Sequence, residues 1–245
     1  MAPDLVDSYS KNLNVKPVSL SEKEIDKFHH LSSDGDLLEV VEYLLEGGDF
    51  DFYIEILKVN CTDPDFFRSE ALEKLTQGDA EDDITKYLLS LEMIDEGEGE
   101  CELIGRIAYN EFTFNKENSI RSGKQIKGAF IDSNYRSGGL GRSIYKRLVY
   151  KHSHIICDNI QSVAGGTLWA SGIVTLAEVD VYDTKSGKII GTLGDNFVAT
   201  NGIKPWSAIN IKSLNSLDRW DINNLSEDSC HHIVNIISKD NLYDI

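Results

Sequence analysis

The stretch Tyr135-Arg136-Ser137-Gly138-Gly139-Leu140-Gly141-Arg142 constrains this chain more than any other, because it joins segments of different kinds. Before it, Lys124 to Ile131 reads as a strand; after it, Arg142 to Tyr150 reads as a helix and His154 to Cys157 as a short apolar strand. At a turn of this kind, backbone N–H groups and a helix N-terminus converge on an anion, and glycines permit its close approach. A phosphate there gains about 0.3–1 kcal/mol from the helix dipole when exposed and about 2 when partly buried. Arg136 and Arg142 add charge-assisted bonds. The plainer reading of the same residues is a flexible turn. No Gly-Lys-Ser or Gly-Lys-Thr follows, and the glycines at 138, 139 and 141 do not fit the dinucleotide G-x-G-x-x-G.

The rest of the chain supplies partners for that unit. Ser21-Glu22-Lys23-Glu24 predicts a helix start, with a glutamate three positions after the serine. Leu37, Leu38, Val41, Leu44 and Leu45 recur at helical spacing from Asp36 and stop at Gly47-Gly48. Asp51 to Val59 alternates as a strand. Asp63-Pro64 opens a helix that closes before Gly78, and 79–91 reads as another. After a Gly and Glu-rich turn at 97–100, Leu103 to Phe114 alternates as one arm of an antiparallel pair. Residues 160–170 read as helix weakened by Gly165-Gly166. Val174 to Tyr182 and Lys188 to Leu193 flank hairpin turn residues, and Cys230 to Ile237 predicts a terminal helix. The order makes the chain α/β or α+β, with a mixed, mostly antiparallel sheet flanked by helices and extra acidic helices on the N-terminal side.

The charge is uneven. Residues 34–100 hold 21 Asp or Glu against 4 Lys or Arg, a local charge equal to the net −17 of the whole chain. Residues 121–151 carry eight basic side chains against Asp132 alone. The first window is a solvated, solubilising face or one that engages a basic, even nucleic-acid-binding, protein; the acidic field disfavours direct binding of nucleic acid. No apolar run reaches the roughly 18 residues of a membrane span, and Met1 to Leu5 has neither a basic nor an apolar leader region, so a cytoplasmic location off the membrane is expected. Cys61, Cys101, Cys157 and Cys230 stand too far apart for a close-spaced zinc or redox pattern. We read them as reduced, and Cys230-His231-His232 as ordinary side chains with no metal.

Arg136-x-x-Gly139-x-Gly141 resembles the R/Q-x-x-G-x-G/A signature of the GNAT superfamily of N-acetyltransferases. The likeness extends from Ile131-Asp132-Ser133-Asn134-Tyr135 before the turn to Ile144, Tyr145 and Leu148 on the helix and His154 to Asp158 beyond, and covers about residues 100–195. It implies that Arg136, Ser137, Gly138, Gly139, Leu140, Gly141 and Arg142 hold the pyrophosphate of acetyl-CoA. It also implies that Phe130, Ile131 and Asp132 lend backbone groups to the pantetheine arm and acetyl carbonyl. The family often carries N-x-x-A-x-x-L-Y on the next helix, where the tyrosine is the acid for the departing thiolate. Here the register is Ser162-Val163-Ala164-Gly165-Gly166-Thr167-Leu168-Trp169, so an indole stands in the tyrosine's place and Ser162 in the asparagine's. An indole is no useful acid, so a catalytic donor in its stead would be Ser162 or an ordered water.

Transfer to an amine also needs a base. Asp158 is the leading candidate, Glu111 and Glu178 are others, each also readable as a surface or capping carboxylate; His152 and His154 lack a partner nucleophile, and Cys157 reads as core. The resulting organisation is a polar segment 1–35, a GNAT-like domain 36–200 comprising an acidic helical part 36–100 and the motif region 100–195, and a C-terminal extension 201–245. The expected activity is acetyl transfer to a small amine or protein lysine, slow for want of the tyrosine. The alternative is a catalytically impaired binding or inhibitor protein that meets a basic partner through its acidic face.

Overall fold

A computed structural model describes residues 3–7, 13–95, 101–136, 138–212, 217, 219–229 and 231–243. The turn expected at 97–100, Ser137 and Cys230 lie outside them. In chain order the strands and helices are β1 (Asp4–Val6), β2 (Ser21–Leu31), β3 (Leu37–Glu46), β4 (Phe52–Lys58), α1 (Pro64–Gln77), α2 (Glu81–Ser90), β5 (Leu103–Lys116), β6 (Ser119–Ile131), α3 (Leu140–His152), β7 (His154–Ile156), β8 (Ile160–Ser162), α4 (Val163–Thr167), β9 (Ala177–Asp183), β10 (Lys188–Thr192), β11 (Ser207–Asn210) and β12 (Ile233–Leu242). The protein is mixed α/β, with a large, mostly antiparallel sheet flanked by helices. No described helix is long and apolar enough to cross a membrane.

The chain forms two compact units, and the long strands β5 and β6 contribute residues to both. One unit comprises Leu13–Ala108 and Ala129–Leu140. Here β2, β3 and β4 form an antiparallel meander, with His30 opposite Leu38 and Val40 opposite Ile56. Asp63 caps α1 by accepting from the Phe66 N–H, Pro64 sits where no helical hydrogen bond is lost, and Gly78 ends the helix in the left-handed region. Phe67 and Ala71 of α1 and Ile84 and Leu88 of α2 bury themselves with Leu31 and Leu37 of the meander. Glu81, Asp82 and Asp83 occupy the first turn of α2, where the helix dipole favours negative charge, so part of the acidic window has a structural use.

Two expectations fail in this unit. Residues 37–46 are the strand β3, not a helix. The segment is buried on both faces, Glu42 included, and such a run satisfies helical and strand spacing alike until pairing decides. The β-formers Val40, Val41 and Tyr43 fit the strand. Residues 21–24 begin β2 rather than a helix, and the Ser21 hydroxyl donates across the hairpin to Glu46 at 2.9 Å instead of capping. Of the acidic helices expected over 36–100, α1 and α2 are present and the first part is sheet.

The other unit comprises 1–12, 109–128 and 141–245. Strand β12 lies between β9 and β7, antiparallel to both, and β7 runs parallel to β6 through Lys124 opposite Ile155 and Gln125 opposite Ile156. Where a helix is expected up to Ile237, the chain is strand from Ile233 on: Ile233 to Ile237 is buried without a break, as a central strand covered on both faces requires. Between 160 and 172, β8 precedes the short α4 and a π-turn, Leu168–Gly172. A second sheet places β1 between β8 and β11, parallel to each. Trp206, fully buried, packs edge-to-face on Trp220 with ring centroids 5.2 Å apart.

Candidate functional site

The turn after β6 is held by its own side chains. The Asp132 N–H donates to Ile104 O at 2.7 Å, and its carboxylate accepts from Asn134 N, forming a one-turn 3-10 helix over Ser133–Tyr135. The Tyr135 hydroxyl donates to Asp36 Oδ2 at 2.8 Å, and Lys58 Nζ meets Asp36 Oδ1 at 2.9 Å. Burial, then the Asp36 bond, pushes the Tyr135 phenol well above its usual range. Arg136 Nε donates to Ile131 O at 2.8 Å, so this guanidinium braces the turn while remaining exposed. Phe130 and Ile131 are half-buried at the end of β6. Gly138 passes so close to Ser33 that a Cβ would come within 2.4 Å of its hydroxyl. Gly139 has φ +79° and open space around the missing Cβ.

Leu140 is buried at the start of α3, whose first N–H groups lack intrahelical acceptors. Gly141 has only ordinary contact with Leu168, and exposed Arg142 reaches Thr175 Oγ1 at 3.4 Å. The segment thus carries helix-start amides preceded by a left-handed glycine with open space beside it, a set of backbone donors suited to an anion.

Past Gln125, side chains replace backbone pairing between β6 and the chain after β7. Gln125 Nε2 donates to Cys157 O and to Asn159 Oδ1, both at 3.0 Å, and Lys127 Nζ meets Asp158 Oδ1 at 3.0 Å. Asp158 is thus held by a lysine and by the Asn159 N–H. Ser162 accepts from Gly165 N at 3.1 Å and caps α4. Trp169 is 2 % exposed and packs edge-to-face on Tyr145, 5.7 Å between centroids. Burial raises the Tyr145 phenol, and so does nearby Cys157; the Trp169 bond to it pulls the other way. Glu111 pairs with Lys124, and Glu178 is exposed on β9. His152 packs on Tyr109. His154 shares a 2.9 Å bond with Ser238, and burial, then Lys116 and Arg121, lowers its pKa.

Cys157 is fully buried, as expected for core, and its Sγ accepts from Asn235 N at 3.0 Å. Burial pushes its thiol far above the ordinary range, whereas Cys101 is exposed. Alkylation needs the thiolate. At pH 8 iodoacetamide is therefore expected to modify Cys101 in the native protein and leave Cys157 intact until unfolding; peptide mass mapping showing equal rates at the two sites contradicts this.

One polar group escapes any reading of spacing, because its members stand at positions 4, 210, 229 and 231. Asp4, fully buried on β1, presents Oδ2 to Ser229 Oγ at 3.0 Å, Asn210 Nδ2 at 3.1 Å and His231 Nε2 at 3.1 Å. Among the described residues no three His, Cys, Asp or Glu side chains converge as a metal site.

No family model, curated protein or solved structure matches this chain. The segment 138–142 has donors for an anion, whereas the catalytic candidates Asp158 and Ser162 are engaged, the carboxylate by Lys127 and Asn159 N and the hydroxyl as the cap of α4.

Proposed function

We propose that this chain is a GNAT-like, acetyl-CoA-dependent N-acetyltransferase of the cytoplasm that acts slowly on an amine acceptor. The observation that carries the reading is the succession of β6, a turn with an open left-handed Gly139, α3, and a β7 parallel to β6. Bound acetyl-CoA supplies an acetyl group activated on sulfur. The first amides of α3 and the exposed guanidinium groups of Arg136 and Arg142 bind its pyrophosphate, and the backbone of Phe130 to Asp132 orients the arm that follows. With Trp169 buried and the Tyr145 phenol raised by burial, neither side chain would be an efficient acid for a departing thiolate. The free cysteines suit a reducing compartment.

Calorimetric titration with acetyl-CoA tests the binding half. The wild type is expected to bind, Gly139→Glu to lose at least tenfold in affinity by placing a like charge at the anion site, and Gly139→Asn to bind within a few-fold, since asparagine tolerates a left-handed backbone. A blank titration for the wild type, or equal affinity in the glutamate variant, removes the basis of the reading.

The second reading is a non-catalytic binding protein, and the engagement of Asp158 by Lys127 and of Ser162 as a cap favours it. In that reading the exposed acids of α1 and α2 meet a basic protein partner. Binding of acetyl-CoA with no amine-dependent thiol release selects it.

A further inference from the structure

We propose that the arm 13–20 and the β3–β4 turn beneath it, 47–51, form a docking surface for a protein segment that carries both apolar and Lys or Arg side chains, such as a cationic amphipathic helix. The proposal is independent of the acetyltransferase reading, and every residue it uses lies in the stretch Leu13–Ala108 of one compact unit. Among the described residues, Leu20 at 88 % and Val18 at 87 % are the most exposed large apolar side chains, and Val15 in the same arm is 68 % exposed. A single exposed aliphatic residue is ordinary on a surface, but three within one short arm make a patch.

The arm is fixed in place at both ends. Leu13 is buried, and the Leu13 and Asn14 carbonyls accept from Arg106 Nη1 at 3.3 and 2.7 Å. Lys16 meets Glu22 at 2.7 Å and stands over the Tyr43 ring, 5.1 Å from its centroid. Leu20 N donates to Glu46 O at 2.8 Å. The turn is shaped to take the arm. A Cβ on Gly47 would come within 2.6 Å of the Leu20 side chain, and one on Gly48 within 2.5 Å of Val18 O. Val18 and Leu20 therefore lie on one turn, and an arm ordered before binding loses less entropy when a partner arrives.

Charge selects the occupant. From Phe28 to Leu57 the chain carries eight Asp or Glu and no Lys or Arg. Glu46, Asp49 and Asp51 are exposed at the turn that carries the apolar pair, and Lys16, the arm's own cation, is offset by Glu22. An apolar patch rimmed by carboxylates favours a partner that brings aliphatic side chains to the centre and cations to the rim. Burial at the centre then supplies affinity, and opposite charge at the rim supplies register and on-rate. An isologous second copy would set the same carboxylates against each other, and an anionic lipid surface would be repelled likewise.

The test uses the full chain and three fluorescein-labelled helical peptides as probes: one of Lys and Leu with the leucines on one face, one with Glu in place of Lys, and one with Ser in place of Leu. By fluorescence anisotropy the Lys–Leu peptide is expected to bind the wild type saturably, and the other two about tenfold more weakly or worse. Val18→Ser with Leu20→Ser, which leaves the charge unchanged, is expected to weaken the Lys–Leu peptide about tenfold or more. Asp49→Asn with Asp51→Asn is expected to flatten the salt dependence of binding, whereas Asp65→Asn with Asp83→Asn, the same change of charge on α1 and α2, is expected to leave it as it is. Hydrogen exchange of the wild type is expected to show protection by the peptide over 15–20 and 46–51. No binding of the Lys–Leu peptide, equal binding of the Glu–Leu peptide, an affinity of the Val18 and Leu20 variant within about twofold of wild type, or an equal effect of the α1 and α2 substitutions overturns the assignment. So does a dimer in sedimentation, or flotation with phosphatidylserine vesicles, that Val18→Ser with Leu20→Ser abolishes. Should the double variant not fold, Leu20→Ser alone and the exchange footprint decide. A blank titration with acetyl-CoA leaves this surface standing.

Discussion

Replacing Arg106 by methionine is expected to destabilise the protein by about 3–5 kcal/mol, the range found when one member of a buried ion pair is removed and its partner left behind. Arg106 is 12 % and Glu55 15 % exposed, and Glu55 Oε1 receives Nε at 3.2 Å and Nη2 at 3.1 Å. The same Nε lies 2.5 Å from the Tyr53 hydroxyl, while Nη1 donates to Leu13 O at 3.3 Å and Asn14 O at 2.7 Å. Burial, then the Glu55 charge, pushes the Tyr53 phenol upward, so it stays a neutral donor to that carboxylate, 2.9 Å away. Methionine keeps the stem and removes all of these donors, leaving Glu55 and two carbonyls without them. Urea unfolding measures the loss, and hydrogen exchange is expected to rise over 13–20, where the arm is released. A loss below about 1 kcal/mol means the network is a solvated surface pair.

Trp206→Ala is expected to have an effect of similar size in the other unit, about 3–5 kcal/mol, as for large aromatic truncations in cores. Trp206 is fully buried, stacks edge-to-face on Trp220, and donates Nε1 to Gln161 Oε1 at 3.2 Å. Gly166 leaves room for its neighbours: a Cβ there would meet Leu5 at 2.7 Å, Trp220 at 3.1 Å and Trp206 at 3.4 Å. Truncation therefore opens a void beneath β1 and α4 and strands a buried amide oxygen. Trp206→Phe, which retains most of the ring, should recover the larger part of the loss. Equal stability of the alanine variant and wild type in denaturant melts rules out the packing role.

Local chemistry made part of this protein legible before its fold was known. Asp63-Pro64 and Gly78 announce α1 because a cap, an N1 proline and a left-handed glycine act within a few residues of one another. The hairpin between β9 and β10 follows from turn residues at 183–187, with Lys185 N on the Asp183 carboxylate at 2.9 Å and Gly187 at φ +66°. The succession of β6, glycine turn, α3 and β7 is likewise local, and so is the acid-rich start of α2. The candidate anion donors at 138–142 were visible for that reason.

What the tertiary structure alone decided is whatever depends on a distant partner. Leu37 to Leu45 and Ile233 to Ile237 carry apolar residues on every side, and such segments have no inherent choice between helix and strand; β2 and β4 make β3 a strand, and β7 and β9 do the same for β12. Asp158 looks like an available carboxylate in the sequence, and only the fold sets Lys127 against it. The meeting of Asp4 with Asn210, Ser229 and His231 is the extreme case: the sequence by itself determines that these side chains can bond, but only burial of β1 between β8 and β11 brings the carboxylate to them, because attraction between groups far apart in a chain has no local signature until the backbone between them is folded.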